Sequence, residues 1–303
     1  MSEQQTYFPQ AFLDKSFTLL GKECNAFFET IKTKQPKSFW VNTNKATVEE
    51  VENSLKSKGV KFEQYSFDKR AFFIEVEKPG DLDEFKLGKI SLQEKAAMLP
   101  VIALAPTEKD LVLDACAAPG MKTIQLSNLM NNKWKIIACD VNSERVRFLE
   151  NAKKKYSLLN VESKRIDFRN LAAKYTEKFD KILLDAPCSS EGLVRKDRGA
   201  LIEWSPKLVE RKAQNQKELI VAAFDLLKVG GEMVYATCSF APEENEEVVL
   251  DLFKQRKNAK VVNVEDLLVG IKIRKNDLCE NCVRLFPQDN NTQQFFFAKI
   301  TKE

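Results

Sequence analysis

Apolar positions in the first ninety residues fall in short runs at 39–41, 62–65 and 72–76, which predict three strands. Thr47 and Glu50 form a capping box, each side chain satisfying the other residue's free backbone amide, and open a helix that runs through Leu55. The stretch 78–89, with Pro79, Gly80, Asp81 and Asp83, reads as a linker. A second capping box, Ser91 and Glu94, predicts a helix kinked at Pro100 and ended by Pro106. From Leu111 onward the pattern changes. Continuous apolar runs at 111–113, 136–139, 163–166, 181–184 and 233–235 alternate with helical spacing, as in a parallel sheet covered by helices. One helix is predicted over 143–156, with a basic face. Another begins at Ser205, before Pro206, and is ended by Gly230 and Gly231. The expected architecture is α/β, with a small α+β unit over residues 1–88 followed by a sheet with helices on both faces over 89–303.

Composition narrows the chemistry. At 303 residues, 44% hydrophobic and 30% charged, the chain suits a folded domain with a smaller companion. No apolar run approaches the roughly 20 residues that span a bilayer, and the start lacks a secretory layout, so a cytoplasmic protein is expected. A net charge of +4 does not by itself argue for nucleic acid. Seven scattered cysteines suit reduced thiols. The absence of histidine excludes Ser-His-Asp and Cys-His catalysis and removes the commonest metal ligand.

The first strand runs into Asp114 and then Cys116, Ala117, Ala118, Pro119, Gly120, Met121 and Lys122, a turn of small residues where backbone approaches a ligand closely. It lacks both the G-x-G-x-x-G of dinucleotide binders and the ending of a P-loop. Asp140 closes the next strand, where a carboxylate accepts hydrogen bonds from both hydroxyls of a ribose, so an adenosyl cofactor is expected. Asp167 follows the third strand, in reach of an adenine amino group. The competing reading is three solvated acids at strand ends. Cys188, in Asp185-Ala186-Pro187-Cys188-Ser189-Ser190, and Cys238, in Tyr235-Ala236-Thr237-Cys238-Ser239, each stand at a strand's carboxyl end, the ligand-binding edge of an open α/β sheet. Cys24, Cys116 and Cys139 read as ordinary buried small side chains. Cys279-x-x-Cys282 lacks a second pair, so no zinc site is expected, and a surface loop or labile disulfide is.

The segments D-A-C-A-A-P-G-M-K-T at 114–123, D-A-P-C-S-S-E-G at 185–192 and Y-A-T-C-S-F-A-P-E-E-N-E at 235–246 resemble the Nol/Nop/Sun family of RNA cytosine-5 methyltransferases. The lead-in helix within 88–106 and Arg284-Leu285-Phe286-Pro287 extend the resemblance over nearly the whole chain. Met121 departs from a common second glycine, and Gln288 and Asn290 stand where a histidine is common. The resemblance implies a Rossmann-like class I methyltransferase, S-adenosylmethionine as cofactor, Cys238 as nucleophile and Cys188 in product release. Asp185 would contact the cytosine near the cofactor, Lys122 would order Asp185 or neutralise charge, and Arg145 would join the cofactor site or brace its loop.

The chemistry requires a thiolate on carbon 6 to push electron density onto carbon 5, then a base to take the carbon 5 proton. Chemistry alone leaves the choice of cysteine open, because DNA cytosine methyltransferases use a Pro-Cys cysteine, which points to Cys188. Glu243, Glu244, Asn245 and Glu246 are expected to cap and position the helix behind Cys238. Arg195, Lys196 and Arg198 follow the Pro-Cys loop and suggest a phosphate track, with Trp204 or Phe240 stacking on an extruded base. The N-terminal unit, with Trp40, resembles the family's RNA-binding extension. No C-terminal RNA-binding module is evident, and the compact length favours transfer RNA over ribosomal RNA and a monomer. A catalytically silent RNA-binding scaffold and an amino-group methyltransferase are the competing classes, the latter disfavoured by Asp-Ala-Pro-Cys in place of a Pro-Pro-aromatic motif.

Overall fold

The computed structural model describes residues 8–274 and 277–303, so the chain start read for a targeting signal lies outside the described residues. Two sheets organise it. The first contains β1 (Lys37–Val41), β2 (Phe62–Gln64), β3 (Ala71–Ile74) and β4 (Ile90–Leu92) in the order β2-β3-β1-β4, all antiparallel. The Thr47 and Glu50 capping box opens helix Val48–Ser57, which packs Val51 and Leu55 against Phe39 and Phe72.

The second sheet contains β5 (Leu111–Asp114), β6 (Lys135–Asp140), β7 (Val161–Arg165), β8 (Phe179–Asp185), β9 (Leu227–Thr237), β10 (Ala259–Val262), β11 (Val283–Leu285) and β12 (Phe295–Lys302). Its order is β10-β12-β9-β8-β5-β6-β7, with β11 paired to β12. The run from β7 to β9 is parallel, and β12 returns antiparallel beside β9. Successive strand residues enter opposite cores. Val112, Ile136, Leu183 and Val234 join helix Lys95–Leu104, while Leu113, Ile137, Ile182 and Met233 join helices Pro206–Leu226 and Glu246–Gln255. Burial on both faces explains why these strands read as unbroken apolar runs. The chain reverses its direction of travel across the sheet between β5 and β8, opening the crevice where such folds bind ligands.

Four local expectations need correction. The 78–89 stretch is folded rather than a free linker: it forms helix Asp83–Lys86, and buried Glu84 accepts a 2.8 Å hydrogen bond from Lys58. Gly88, at φ 72°, lies so close to the Lys155 carbonyl that a Cβ would meet it at 2.4 Å. Glu94 is itself the N-cap of helix Lys95–Leu104, accepting from the amides of Ala96 and Ala97, because Ser91 is taken up by β4. The long helix stops at Leu226, and Gly230 and Gly231 instead occupy an irregularity within β9, where Phe179 pairs with Leu227 but Lys181 pairs with Glu232. Cys279 and Cys282 form a disulfide, as one expectation had it, but they are buried rather than on the surface. Among the described residues no group of side chains is arranged to hold a metal, and no helix is long and apolar enough to cross a membrane.

The first sheet is fastened to the second. Buried Trp40 donates to Asn128 Oδ1 at 2.9 Å, and Asn42 donates to the carbonyls of Gly88 and Tyr156. Trp40 is thus a packing residue. β4, which follows the boundary at 88 read from the sequence, completes the first sheet against β1. Helices Gln10–Leu20 and Cys24–Lys32 bury Phe12 and Phe27 against Trp204, Phe240 and Phe286, next to the loops that follow β8 and β9.

Candidate active site

Each parallel strand ends in a polar residue just as it leaves the sheet, and these ends open on one cavity of about 530 Å³. Cys116, Asp140, Arg145, Asp167, Asp185, Cys188 and Cys238 all line it. A larger groove of about 1010 Å³ along residues 203–218 contains none of them, so the site residues expected from the sequence gather on the smaller cavity.

After β5, the loop through Ala117, Ala118 and Pro119 turns into helix Met121–Leu129 at Gly120. At φ 108° Gly120 has a conformation that L side chains rarely adopt, and a Cβ would meet Leu149 Cδ1 at 3.0 Å. Arg145 donates to the Ala118 carbonyl, so it braces this loop, and its guanidinium also lies 3.5 Å from Asp140 Oδ2. Asp140 is buried, and that same Oδ2 has no hydrogen-bond partner. Buried carboxylate oxygens seldom remain unsatisfied, and Asp140 is one of the residues that line the cavity. Asp167 also lines the cavity, but its carboxylate is gripped by Arg169 at 2.6 Å, which holds it below the usual carboxylate range.

Asp185, at the end of β8, accepts a 2.7 Å ion-pairing hydrogen bond from Lys122 Nζ, which is the ordering contact expected of that lysine. Behind it lies Asp114, fully buried and accepting from Thr123 Oγ1 at 2.7 Å. Burial, with added repulsion from Asp185, pushes its carboxyl up to about 7.

Cys188 and Cys238 meet across the cavity mouth with their sulfurs 3.1 Å apart, in hydrogen-bond contact. The hydrogen bond to Cys238, with burial next, pushes the Cys188 thiol well up. Cys188 therefore favours its protonated form beside Cys238. The loop after β9 is held by Thr237 Oγ1 donating to Asn245 Oδ1 and by Asn245 Nδ2 donating to the Ser239 carbonyl. The capping expected of the Glu243 to Glu246 run is not found, because Asn245 at the N-cap of helix Glu246–Gln255 turns its side chain to this loop and makes no capping bond, so the run positions the loop instead. Gly192 packs beneath this loop, where a Cβ would meet the carbonyls of Cys238 at 2.4 Å and Gln294 at 2.7 Å. Both obstacles are backbone. Gly192→Ala is therefore expected to destabilise the protein by about 1–3 kcal/mol in urea unfolding and to shift the Cys238 loop, whereas a change below 0.5 kcal/mol would mean the loops yield freely.

Three RNA-facing expectations are overturned. Arg195 is only 8% exposed and donates to Thr33 Oγ1 at 2.9 Å, Asn291 Oδ1 at 2.7 Å and the Thr292 carbonyl at 3.2 Å, so it clamps chain segments together and is unavailable to a phosphate. Trp204 and Phe240, 5% and 1% exposed, are core residues facing Phe12 and cannot stack on a base. Lys196 and Arg198 are exposed, and Lys196 shares a groove of about 410 Å³ with Lys34 and Lys37. Cys24 and Cys139 are buried, as expected, while Cys116 reaches the cavity. A buried cluster of Ser189, Glu191, Trp204, Gln216, Ser239 and Glu244 beneath the two cysteines was not foreseen, because its members interact only after loops some fifty residues apart converge.

Strand order, ligand crevice and acidic strand ends together define a Rossmann-like α/β fold. Residues 101–301 match the family model described as 16S rRNA methyltransferase RsmB/F, and residues 8–95 match the N-terminal domain of 16S rRNA methyltransferase RsmF. The chain belongs to the RsmB/F family, in agreement with the Nol/Nop/Sun resemblance. It is 35% identical over 305 residues to ribosomal RNA small subunit methyltransferase F of Vibrio campbellii, covering 98% of this chain and 63% of that protein. With the protein of the same name from Escherichia coli O1:K1 / APEC it shares 34% identity over 315 residues, covering 100% of this chain and 65% of that one. The chain thus spans less than two thirds of the length of these relatives. Among solved structures, a methyltransferase homolog from Pyrococcus horikoshii superposes with a TM-score of 0.86 at 31% identity, over 99% of this chain and 97% of that one. NSun6 from Pyrococcus horikoshii gives 0.86 at 25% identity, over 97% and 98%.

Proposed function

We propose that the protein transfers a methyl group from S-adenosylmethionine to carbon 5 of a cytosine in small-subunit ribosomal RNA. The observation that carries this reading is the pair of cysteine sulfurs, 3.1 Å apart, on the cavity that Asp140 and Asp185 also line. Ribosomal RNA is favoured over the transfer RNA expected from the compact length, because the relatives carry the small-subunit name and length is uninformative in a chain that spans only part of them.

The cavity fits the cofactor. The buried Oδ2 of Asp140 has no hydrogen-bond partner, only the more distant charge of Arg145 at 3.5 Å, as suits a carboxylate that accepts from ribose hydroxyls. The backbone of the 116–121 turn would hold the amino-acid portion, and Asp167 the adenine edge. NSun6 from Pyrococcus horikoshii was solved with the S-adenosylmethionine analogue SFG. S-adenosylmethionine, when bound, supplies a methyl group on a positively charged sulfur. The protein's own residues prepare the acceptor. Cys238 adds as thiolate to carbon 6, forming a carbon–sulfur bond and moving electron density to carbon 5. Asp185, oriented by Lys122, holds the ring nitrogen and amino edge as that density shifts. Once carbon 5 carries the methyl group, its proton passes to a base, for which solvent suffices, and the electron pair re-forms the double bond between carbons 5 and 6. The carbon–sulfur bond then breaks, returning the electron pair to Cys238. The N-terminal unit and the Lys34, Lys37 and Lys196 groove would meet RNA phosphates by charge.

Incubation with methyl-tritiated S-adenosylmethionine and, separately, 16S rRNA, assembled small subunits and bulk transfer RNA tests this reading. The expected product is labelled 5-methylcytosine in the ribosomal RNA. Label confined to transfer RNA would reassign the substrate, and a protein that binds the cofactor but labels none of these would be a scaffold. Asp140→Asn is expected to raise the cofactor Kd by about tenfold or more in calorimetry, since hydrogen bonds to a charged acceptor contribute about 1.5–3 kcal/mol. An unchanged Kd would place the ribose elsewhere.

A further inference from the structure

The buried cluster under the cysteines holds two carboxyl groups, Glu191 and Glu244, both fully buried, with the Ser189 hydroxyl between them. Ser189 Oγ is in hydrogen-bond contact with Glu191 Oε2 and with Glu244 Oε2. A hydroxyl has one proton and can donate to only one of these oxygens, so the other contact requires a proton on the carboxyl side. Both carboxyls have further partners that fix them in place. Glu244 Oε1 accepts from the Ser189 amide at 2.9 Å and from Gln216 Nε2 at 3.0 Å. Glu191 Oε2 accepts from Trp204 Nε1 at 2.6 Å, and its Oε1 lies 3.2 Å from Ser239 Oγ. One proton shared by the two carboxyls through Ser189 satisfies both hydroxyl contacts.

We propose that Glu191, Ser189 and Glu244 form a one-proton latch that fixes the two cysteine loops at their working separation, with Glu191 a positioning residue. The proposal rests on the methyltransferase reading for its activity readout only. Both loops are attached to the latch: Ser189 adjoins Cys188, Ser239 adjoins Cys238, and the Gly192 amide donates to the Cys238 carbonyl at 2.9 Å. Among the described residues, a second negative charge in this buried site would have no cation in direct contact with it. The charged and titratable groups facing it are Lys15 of helix Gln10–Leu20, engaged with Glu243 at 2.8 Å, Cys188 on the same loop, and Tyr235 of β9, whose hydroxyl donates to the Glu244 carbonyl. Arg284 is taken by Glu246. Burial, with repulsion from Glu244, pushes the Glu191 carboxyl up to about 7. Below that pH the latch is closed, and above it deprotonation places two like charges across one serine.

Glu191→Gln keeps the neutral form at every pH, whereas Glu191→Ala and Ser189→Ala break the bridge. The alanine variants are expected to lose roughly a hundredfold in methyl-transfer rate, and Glu191→Gln to restore most of it near pH 6.5. The ratio of Glu191→Gln to wild-type rate should then rise by about tenfold or more between pH 6.5 and 9, because cysteine ionisation is common to both proteins and cancels. A second measurement needs no RNA. The infrared difference between wild type and Glu191→Gln at pH 6 should contain the carbonyl stretch of a protonated carboxyl, lost on titration to pH 9. A rate ratio flat with pH, or no protonated-carboxyl band, would overturn the latch. If no RNA is methylated at all, the function assigned above fails while the infrared result still decides the latch.

Discussion

Incubated with S-adenosylmethionine and substrate RNA, a Cys188→Ala variant is expected to accumulate as a covalent protein–RNA band on a denaturing gel, while Cys238→Ala forms no band and methylates at least roughly 10⁴-fold more slowly than wild type. The asymmetry follows from the pair's geometry. The sulfurs are 3.1 Å apart, and the Cys188 thiol is pushed well up, first by its hydrogen bond to Cys238 and then by burial. The thiolate is the attacking species, so a thiol held in its protonated form is the poorer nucleophile of the pair. Removing Cys188 leaves the attacking sulfur in place, so the adduct forms and then lacks its release partner. Loss of Cys238 removes the carbon–sulfur bond itself. The opposite gel pattern would make the Pro-Cys cysteine the nucleophile, the alternative that chemistry alone leaves open.

The cavity was legible in the sequence because each of its walls ends an apolar strand. Asp140, Asp185 and Thr237 stand where a run of buried residues stops, and in a parallel sheet those stops share one edge. What stayed hidden depends on where side chains point once distant segments meet. Arg195 follows a catalytic loop and looks like part of a basic track, yet its partners Thr33 and Asn291 come from segments 162 and 96 residues away. Trp204 looks like a stacking platform, but helix Gln10–Leu20 covers it with Phe12 and Glu191 takes its indole N–H. Glu191 itself gave no signal. A glutamate in a polar loop reads as solvated, and only the approach of Ser189, Ser239 and Glu244 turns it into a buried acid. Gly230 and Gly231 show the converse error, since glycine marks a strand irregularity as readily as a helix end.

Arg284→Met is expected to lower stability by about 3–5 kcal/mol, a larger loss than removal of any exposed ion pair on this surface would cause. Arg284, on β11, is 6% exposed and forks onto both carboxylate oxygens of fully buried Glu246, while its Nη1 donates to the Phe240 carbonyl at 2.7 Å. It thereby connects the strand before the last to the loop that follows Cys238 and to helix Glu246–Gln255. Methionine fills much of the same volume but leaves Glu246 as a buried carboxylate without its guanidinium, and the Phe240 carbonyl without that donor. The penalty arises from what remains, not from the attraction lost. The double variant Arg284→Met with Glu246→Leu removes both charges and is expected to recover most of the stability, as apolar replacement of buried pairs often does. Thermal unfolding should show the single variant melting roughly 6–15 °C below wild type. A single variant within 1 kcal/mol of wild type would mean that solvent reaches Glu246 when Arg284 leaves, and that the Cys238 loop is held by Thr237 and Asn245 without this fork.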